Sequence, residues 1–344
     1  MNNATVSITH NPFAALTPDL ILETVEEAFG LNLDGTLFAY PSYINRVYGL
    51  REETGRELVV KFYRPSRWTR EQIEAEHSFL AELYRGECPV ALPLADAEGE
   101  TLQTLTVEVL TSPSLPATQD IDFHFCLFPK ISGRPFDPET DQDWIRLGAL
   151  AGRIHVSGRK HPAPSRPILS PNLINCYGQE LLDQGLIPDE FIKDFQNIIK
   201  SGENILKSAI AGSARTGILR LHGDFHRGNI IDTPDRGLVI IDFDDMVNGP
   251  AVQDLWLLLP DHYRSCTREF SLILEGYREF STIDDGERAL IEGLRLLRMF
   301  HFLHWQSRQR FDTSFERHFP GWGSRAFWVK TIEDLEDQLS EMGG

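Results

Sequence analysis

The sequence predicts an α+β chain in two parts, a β-rich N-terminal lobe followed by a mainly helical C-terminal lobe. Three observations lead there. Runs rich in β-branched and aromatic residues fall mostly before residue 130. Helical apolar periodicity dominates from Asp141 onward. Two short apolar runs, Gly217 to Leu221 and Gly237 to Ile241, interrupt those helices as an inserted hairpin, with the turn-rich stretch Asp232 to Arg236 between them. A length of 344 residues suits such a two-lobed body. The expected lobes are residues 1–130 and 131–344, with a hinge near Pro129 to Gly133.

Each element has a local reason. Thr17 can cap a helix to Phe29, Pro18 suits its first position, and Gly30 suits its end. Ile21, Val25, Ala28 and Phe29 make its apolar stripe. Asn45 to Leu50 and Glu57 to Tyr63 flank a turn containing Thr54-Gly55, which reads as a hairpin. Thr69 and Gln72 have capping-box spacing for a helix to about Arg85, closed by Gly86. Thr104 to Leu110 and Phe123 to Phe128 read as further strands. Helices are expected over Trp144 to Val156 and Pro188 to Ile210, and again from about Val252.

Composition excludes several classes. Hydrophobic residues at 41% and charged residues at 24% are ordinary globular usage. A formal net charge of -18 disfavours nucleic acid and anionic membranes as partners. It also disfavours any phosphate ligand at long range, so a nucleotide site must concentrate its own lysine, backbone N–H groups and metal ions. Cys88, Cys126, Cys176 and Cys266 are scattered without CxxC spacing. They read as isolated buried thiols in a reducing cytosol rather than a zinc or redox centre. The polar start from Met1 to His10 lacks the apolar core of a secretory signal, and no apolar run reaches the ~20 residues that span a bilayer. A monomeric cytoplasmic protein is expected.

The most informative stretch is Leu221-His-Gly-Asp-Phe-His-Arg-Gly-Asn-Ile230. Asp224 and Asn229 lie five residues apart after one apolar run, and Asp242 ends the next. Phosphoryl transfer needs an acceptor hydroxyl held in line and metal ions that neutralise the β- and γ-phosphates. Asp224 suits the acceptor as positioning group and base. Asn229 and Asp242 suit Mg²⁺, which takes hard oxygen ligands and keeps waters. Asp242 thereby also counts as catalytic. Taken singly, Asp or Asn here would cap a loop; the whole spacing argues for chemistry.

A second constellation lies upstream. Lys61 interrupts the apolar strand Val59-Val-Lys-Phe62. On the following helix Glu76 shares the stripe of Ile73, Leu80 and Leu83, where a carboxylate needs a partner. Lys61 is available, and the pair would hold the lysine against the α- and β-phosphates of ATP. Glu71 and Glu74 lie on other faces and read as solvated. No Gly-rich loop precedes Lys61; Pro41-Ser-Tyr-Ile-Asn-Arg46 stands there, offering Ser42 and its backbone N–H groups. Phe128 and Lys130, beside the hinge, complete the nucleotide-binding candidates. Asp254 reads as a brace for the catalytic-loop backbone. His222 and His226 read as loop-orienting residues, and His301 and His304 as core or surface residues.

These segments resemble the aminoglycoside-phosphotransferase-like branch of the kinase superfamily. The subfamily of bacterial stress response kinases fits best, from about Thr17 to Val329. The carrying segments are Ser42 to Tyr48, Val59 to Pro65, Leu219 to Asn229 and Asn248 to Trp256. The resemblance implies a protein-kinase-like fold and a cytoplasmic, autophosphorylating serine/threonine kinase acting in a stress response. By position it makes Asp224 the proton acceptor, Asn229 and Asp242 the Mg²⁺ ligands, and Ser42 an ATP-proximal residue. The chain departs from ordinary protein kinases in Asp242-Phe-Asp244, where they carry Asp-Phe-Gly, and in lacking a following Ala-Pro-Glu.

Two other functions stay open. The catalytic groups bind ATP and metal, so they equally suit a kinase of amino alcohols, sugars or aminoglycosides. From Arg295 to Lys330 basic residues outnumber the acids Asp312 and Glu316, which would serve a cationic acceptor poorly. A regulatory pseudokinase would have lost a catalytic group, yet Lys61, Glu76, Asp224, Asn229 and Asp242 are all present.

Overall fold

The computed structural model describes residues 13–112, 115–213 and 217–343; the expectation for Met1 to His10 lies outside them. The chain forms two compact units. One runs to Phe136 and takes back Gly228–Asp244; the other holds Asp137–Arg227 and the described residues after Asp244.

The first unit begins with α1 (Pro18–Phe29), capped by the Thr17 hydroxyl and ended by left-handed Gly30, as expected. Strands β1 (Leu33–Ala39), β2 (Arg46–Glu52) and β3 (Glu57–Phe62) follow, then α2 (Arg70–Arg85) with its Thr69/Gln72 capping box. Next come β4 (Gln103–Ser112), β5 (Leu115–Pro129) and the short β6 (Arg134–Pro135). The first five strands make one antiparallel sheet in the order β1-β2-β3-β5-β4. Strand β1 has no counterpart among the expected strands. Its Asp34-Gly35 is a turn dipeptide, and the pairing slips between Leu33 and Leu37 around it.

Alternation along β3 divides the labour of the sheet. Leu58, Val60 and Phe62 join Ile21 and Val25 of α1 and Phe123, Phe125 and Leu127 of β5 in one core. Each such buried side chain contributes roughly 1.5–3 kcal/mol. Between them Lys61 necessarily faces the other way, toward the side where Tyr63, Ile73 of α2 and Cys126 pack.

In the second unit come α3 (Asp141–Gly158), α4 (Asn172–Asp183), α5 (Ile192–Gly212) and β7 (Leu219–Leu221). Strands β8 (Ile230–Thr233) and β9 (Gly237–Ile240) then return to the first unit, where they pair with each other and β8 pairs with β6. Strand β10 (Val247–Gly249) and helices α6 (Val252–Trp256), α7 (Thr267–Tyr277), α8 (Asp285–Arg288), α9 (Ile291–Gln309), α10 (Phe315–His318) and α11 (Arg325–Gly343) complete the second unit. Phe195 of α5 meets Phe300 of α9 and Trp328 of α11 at centroid distances of 5.5 and 6.2 Å.

Two expectations need correction. The inserted hairpin is β8–β9, whereas the first apolar run, as β7, pairs with β10. Only tertiary pairing reveals β10, because Asn248-Gly-Pro reads locally as a turn. The cysteines are not all buried: Cys176 is exposed on α4, whose inward side carries Ile174, Gly178 and Leu181. No helix among the described residues is long and apolar enough to cross a membrane.

Candidate active site

In the first unit the chemistry gathers around Lys61. Its ammonium donates to Asp242 Oδ1 at 2.8 Å and lies 3.4 Å from Asp244 Oδ1. Burial pushes the lysine toward its neutral form, but the charges of Asp242, Asp244 and Glu76 outweigh it and hold its pKa above the ordinary value. Glu76 is buried on the inward stripe of α2 with Ile73, Leu80 and Leu83, while Glu71 and Glu74 are exposed. Burial and the Lys61 charge push the neighbouring His77 imidazole down to about 3, so it adds no positive charge near neutrality.

Asp244 is a residue the sequence reading did not single out. Its carboxylate is nearly fully buried and accepts from Arg67 and from Asn45 Nδ2, the latter at 3.3 Å. Asn45 Oδ1 in turn accepts the Arg64 N–H at 3.1 Å. Asp244 thus ties the turn before β2 and the loop after β3 to the segment that carries Asp242. The signal was present as the departure from Asp-Phe-Gly; its partners were not, being far away in sequence.

Asp242 and Asn229 stand at one end of the β8–β9 hairpin. Ile230 pairs with Ile240, and the Ile241 N–H donates to Asn229 O at 3.0 Å. Asp242 is one residue further on, at φ 64°, a left-handed conformation that costs a non-glycine residue about 1–2 kcal/mol and that Asp tolerates better than most. The antiparallel pairing therefore brings the amide and the carboxylate to the same end. Asp242 keeps 51% of its side chain exposed. Among the described residues no group of three or more His, Cys, Asp or Glu is arranged for a metal. Asn229 and Asp242 are the residues that could hold a metal: an amide oxygen and an accessible carboxylate are hard donors of the kind that would suit Mg²⁺ alongside phosphate oxygens and water.

The remaining nucleotide candidates sit at strand ends. The Arg46 guanidinium donates to the carbonyls of Ser42, Tyr43 and Asn45, which holds the turn containing Ser42. Phe128 pairs with Val59 in the β3–β5 ladder and packs beside Tyr63 and Cys126. Lys130 Nζ donates to Glu57 Oε1 at 2.7 Å.

The second unit holds Asp224. Its Oδ1 accepts from Arg298 Nη2 of α9 at 2.5 Å, and its Oδ2 lies 3.3 Å from His226 Nε2. Burial raises the carboxyl pKa, but the His226 hydrogen bond and the Arg298 charge hold it well below the carboxylate range. The Asp224 N–H donates to His222 Nδ1 at 3.3 Å. Asp254, fully buried, accepts the His222 N–H at 2.9 Å and the Gly223 N–H at 3.0 Å, which is the bracing expected of it. His155 Nε2 lies 3.1 Å from the same carboxylate, and the Tyr277 hydroxyl lies 2.9 Å from His155 Nδ1. His304, by contrast, pairs with Glu180 and stacks on Tyr177.

Gly223 has φ +85°, and a Cβ built there would lie 1.9 Å from Asp245 O. Gly223→Ala is expected to lower stability by about 1–3 kcal/mol through backbone strain alone. Transfer activity should fall at least tenfold because Asp224 is the next residue. Thermal denaturation and steady-state turnover check this, and unchanged values for both would refute it.

The chain belongs to the phosphotransferase enzyme family, whose profile matches residues 39–297. It is 35% identical over 341 residues to stress response kinase A of Escherichia coli strain K12, covering 98% of this chain and 95% of that one. It is 37% identical over 329 residues to serine/threonine protein kinase RdoA of Salmonella typhimurium, covering 95% and 93%. Among solved structures, the amicoumacin kinase hAmiN in complex with AMP-PNP, Ca²⁺ and Ami superposes with a TM-score of 0.71 at 19% identity, covering 94% and 95%. A microcompartment-associated aminopropanol kinase superposes at 0.67 with 18% identity, covering 94% and 96%. The fold is therefore the protein-kinase-like, aminoglycoside-phosphotransferase type that the sequence predicted.

Proposed function

We propose that this chain is an ATP- and Mg²⁺-dependent serine/threonine protein kinase. It transfers the γ-phosphate to protein hydroxyls, phosphorylates itself, and acts as a cytoplasmic monomer in a bacterial stress response. The observation that carries the transfer chemistry is the meeting of Lys61, Asp242 and Asp244, with Asn229 at the same hairpin end as Asp242. Asn229 and Asp242 hold the metal, which neutralises charge on the transferring phosphates. Lys61, held by its carboxylate neighbours, serves the α- and β-phosphates, and Ser42, Phe128 and Lys130 border the nucleotide. Asp224 orients the acceptor hydroxyl and receives its proton.

Near-full-length likeness to proteins named serine/threonine and stress response kinases supports a protein acceptor. A second reading, a small-molecule phosphotransferase, is favoured by the amicoumacin and aminopropanol kinases that share the fold. Incubation with labelled ATP, Mg²⁺, a generic protein substrate and a panel of small alcohols separates the two. Label is expected on protein, including the kinase itself, and is lost in Asp242→Ala with weakened Mg²⁺-ATP binding. Label confined to a small alcohol would favour the second reading. Unchanged ATP affinity in Asp242→Ala would sink the metal assignment.

A further inference from the structure

Arg298 belongs to α9, 74 residues beyond Asp224 in sequence, yet its guanidinium is bonded to the Asp224 carboxylate. We propose that Arg298 is a specificity-determining residue. By neutralising Asp224, it steers the acceptor site toward uncharged or acidic hydroxyl acceptors and away from cationic ones. This inference rests on the reading of Asp224 as the acceptor-side group.

A lone carboxylate beside the acceptor hydroxyl attracts any ammonium the acceptor carries, and that attraction grows where water is partly excluded. Here the carboxylate is matched one for one by a guanidinium. The pair is open to an arriving molecule: side-chain exposure is 38% for Arg298, 42% for His226 and 21% for Asp224. A positive group near Asp224 therefore meets Arg298 at similar range, whereas a neutral hydroxyl does not feel the difference. One helical turn earlier, Arg295 lies over the Trp256 ring at 4.6 Å. The adjacent acid Glu292 is already engaged by Arg295, the Tyr263 N–H, His262 and Gln338. Arg295 matches its charge, and unpaired charges against the wrong partner are a common basis of discrimination.

The test uses full-length protein, labelled ATP and Mg²⁺ with matched acceptors. These are serine peptides flanked by glutamine, glutamate or lysine, together with choline and its uncharged analogue 3,3-dimethylbutan-1-ol. Wild type is expected to favour the uncharged or acidic member of each labelled set over the cationic one by at least tenfold in kcat/KM. Arg298→Gln should shrink that ratio at least tenfold, and Arg298→Lys should preserve it. A residue that only stabilised α9 would change all acceptors alike and leave the ratio alone. The proposal is overturned if wild type prefers the cationic member, if Arg298→Gln moves the ratio less than twofold, or if no acceptor is labelled. Failure of the underlying reading looks different: Asp224→Asn would then transfer phosphate as fast as wild type, whatever Arg298 does.

Discussion

Asp224→Asn is expected to lower the turnover of phosphoryl transfer by about 10²-fold, the scale that misplacing a reacting group costs. ATP affinity should stay within about twofold, because the nucleotide and metal groups assigned here, Lys61, Asn229 and Asp242, belong to the other unit. The direction of the Asp224 pKa sharpens the expectation. Its folded pKa is depressed, so it stays ionised at neutral pH and is a weak proton acceptor there. Orientation of the hydroxyl is then its larger role, in keeping with a loose transition state that asks little of a base. A depressed carboxylate contributes fully above its unfolded pKa of about 4 and loses the contribution as pH falls through the lower folded value. Between pH 5 and 8, wild-type turnover should show no acid limb from Asp224. Stopped-time assays with ATP titrations at a series of pH values measure turnover, ATP affinity and the pH profile; undiminished turnover in Asp224→Asn would remove this residue from the chemistry.

The second large effect is structural. Asp254→Ala is expected to destabilise the protein by about 3–5 kcal/mol, the usual result of removing one member of a buried charged network. Three donors lose their acceptor together: the N–H groups of His222 and Gly223 and His155 Nε2–H. Each such orphaned group costs about 1–3 kcal/mol. Asp254→Asn should lose less, since its amide oxygen still accepts one N–H while its NH₂ faces another donor. Turnover should drop in both variants because the backbone leading to Asp224 is no longer held. Chemical denaturation of the two variants beside wild type decides it; an Asp254→Ala protein within 0.5 kcal/mol of wild type would contradict the bracing role.

Legibility tracked locality. The Thr17 and Thr69 caps, the Gly30 stop and the stripe that buries Glu76 were readable because helices are specified by neighbours one turn apart. Strand β1 was not, since Asp34-Gly35 breaks its local pattern and only pairing with β2 makes it a strand. Strand β10 was missed for the same reason, and with it the true partner of β7. At the site, the spacing of Asp224, Asn229 and Asp242 and the bracing role of Asp254 could be read from the chain. The contacts of Asp244 with Asn45 and Arg67, and of Asp224 with Arg298, join residues separated by 74 to 199 positions, which no local pattern encodes.

By itself the sequence determined the fold class, through short-range periodicity, and carried the resemblance to the family, through residue types at fixed spacing. Tertiary structure alone decided which charges meet: which carboxylates surround Lys61, and that a guanidinium from α9 covers one oxygen of Asp224. The reason is that electrostatic energy depends on distance in space and on burial, and chain separation reports neither.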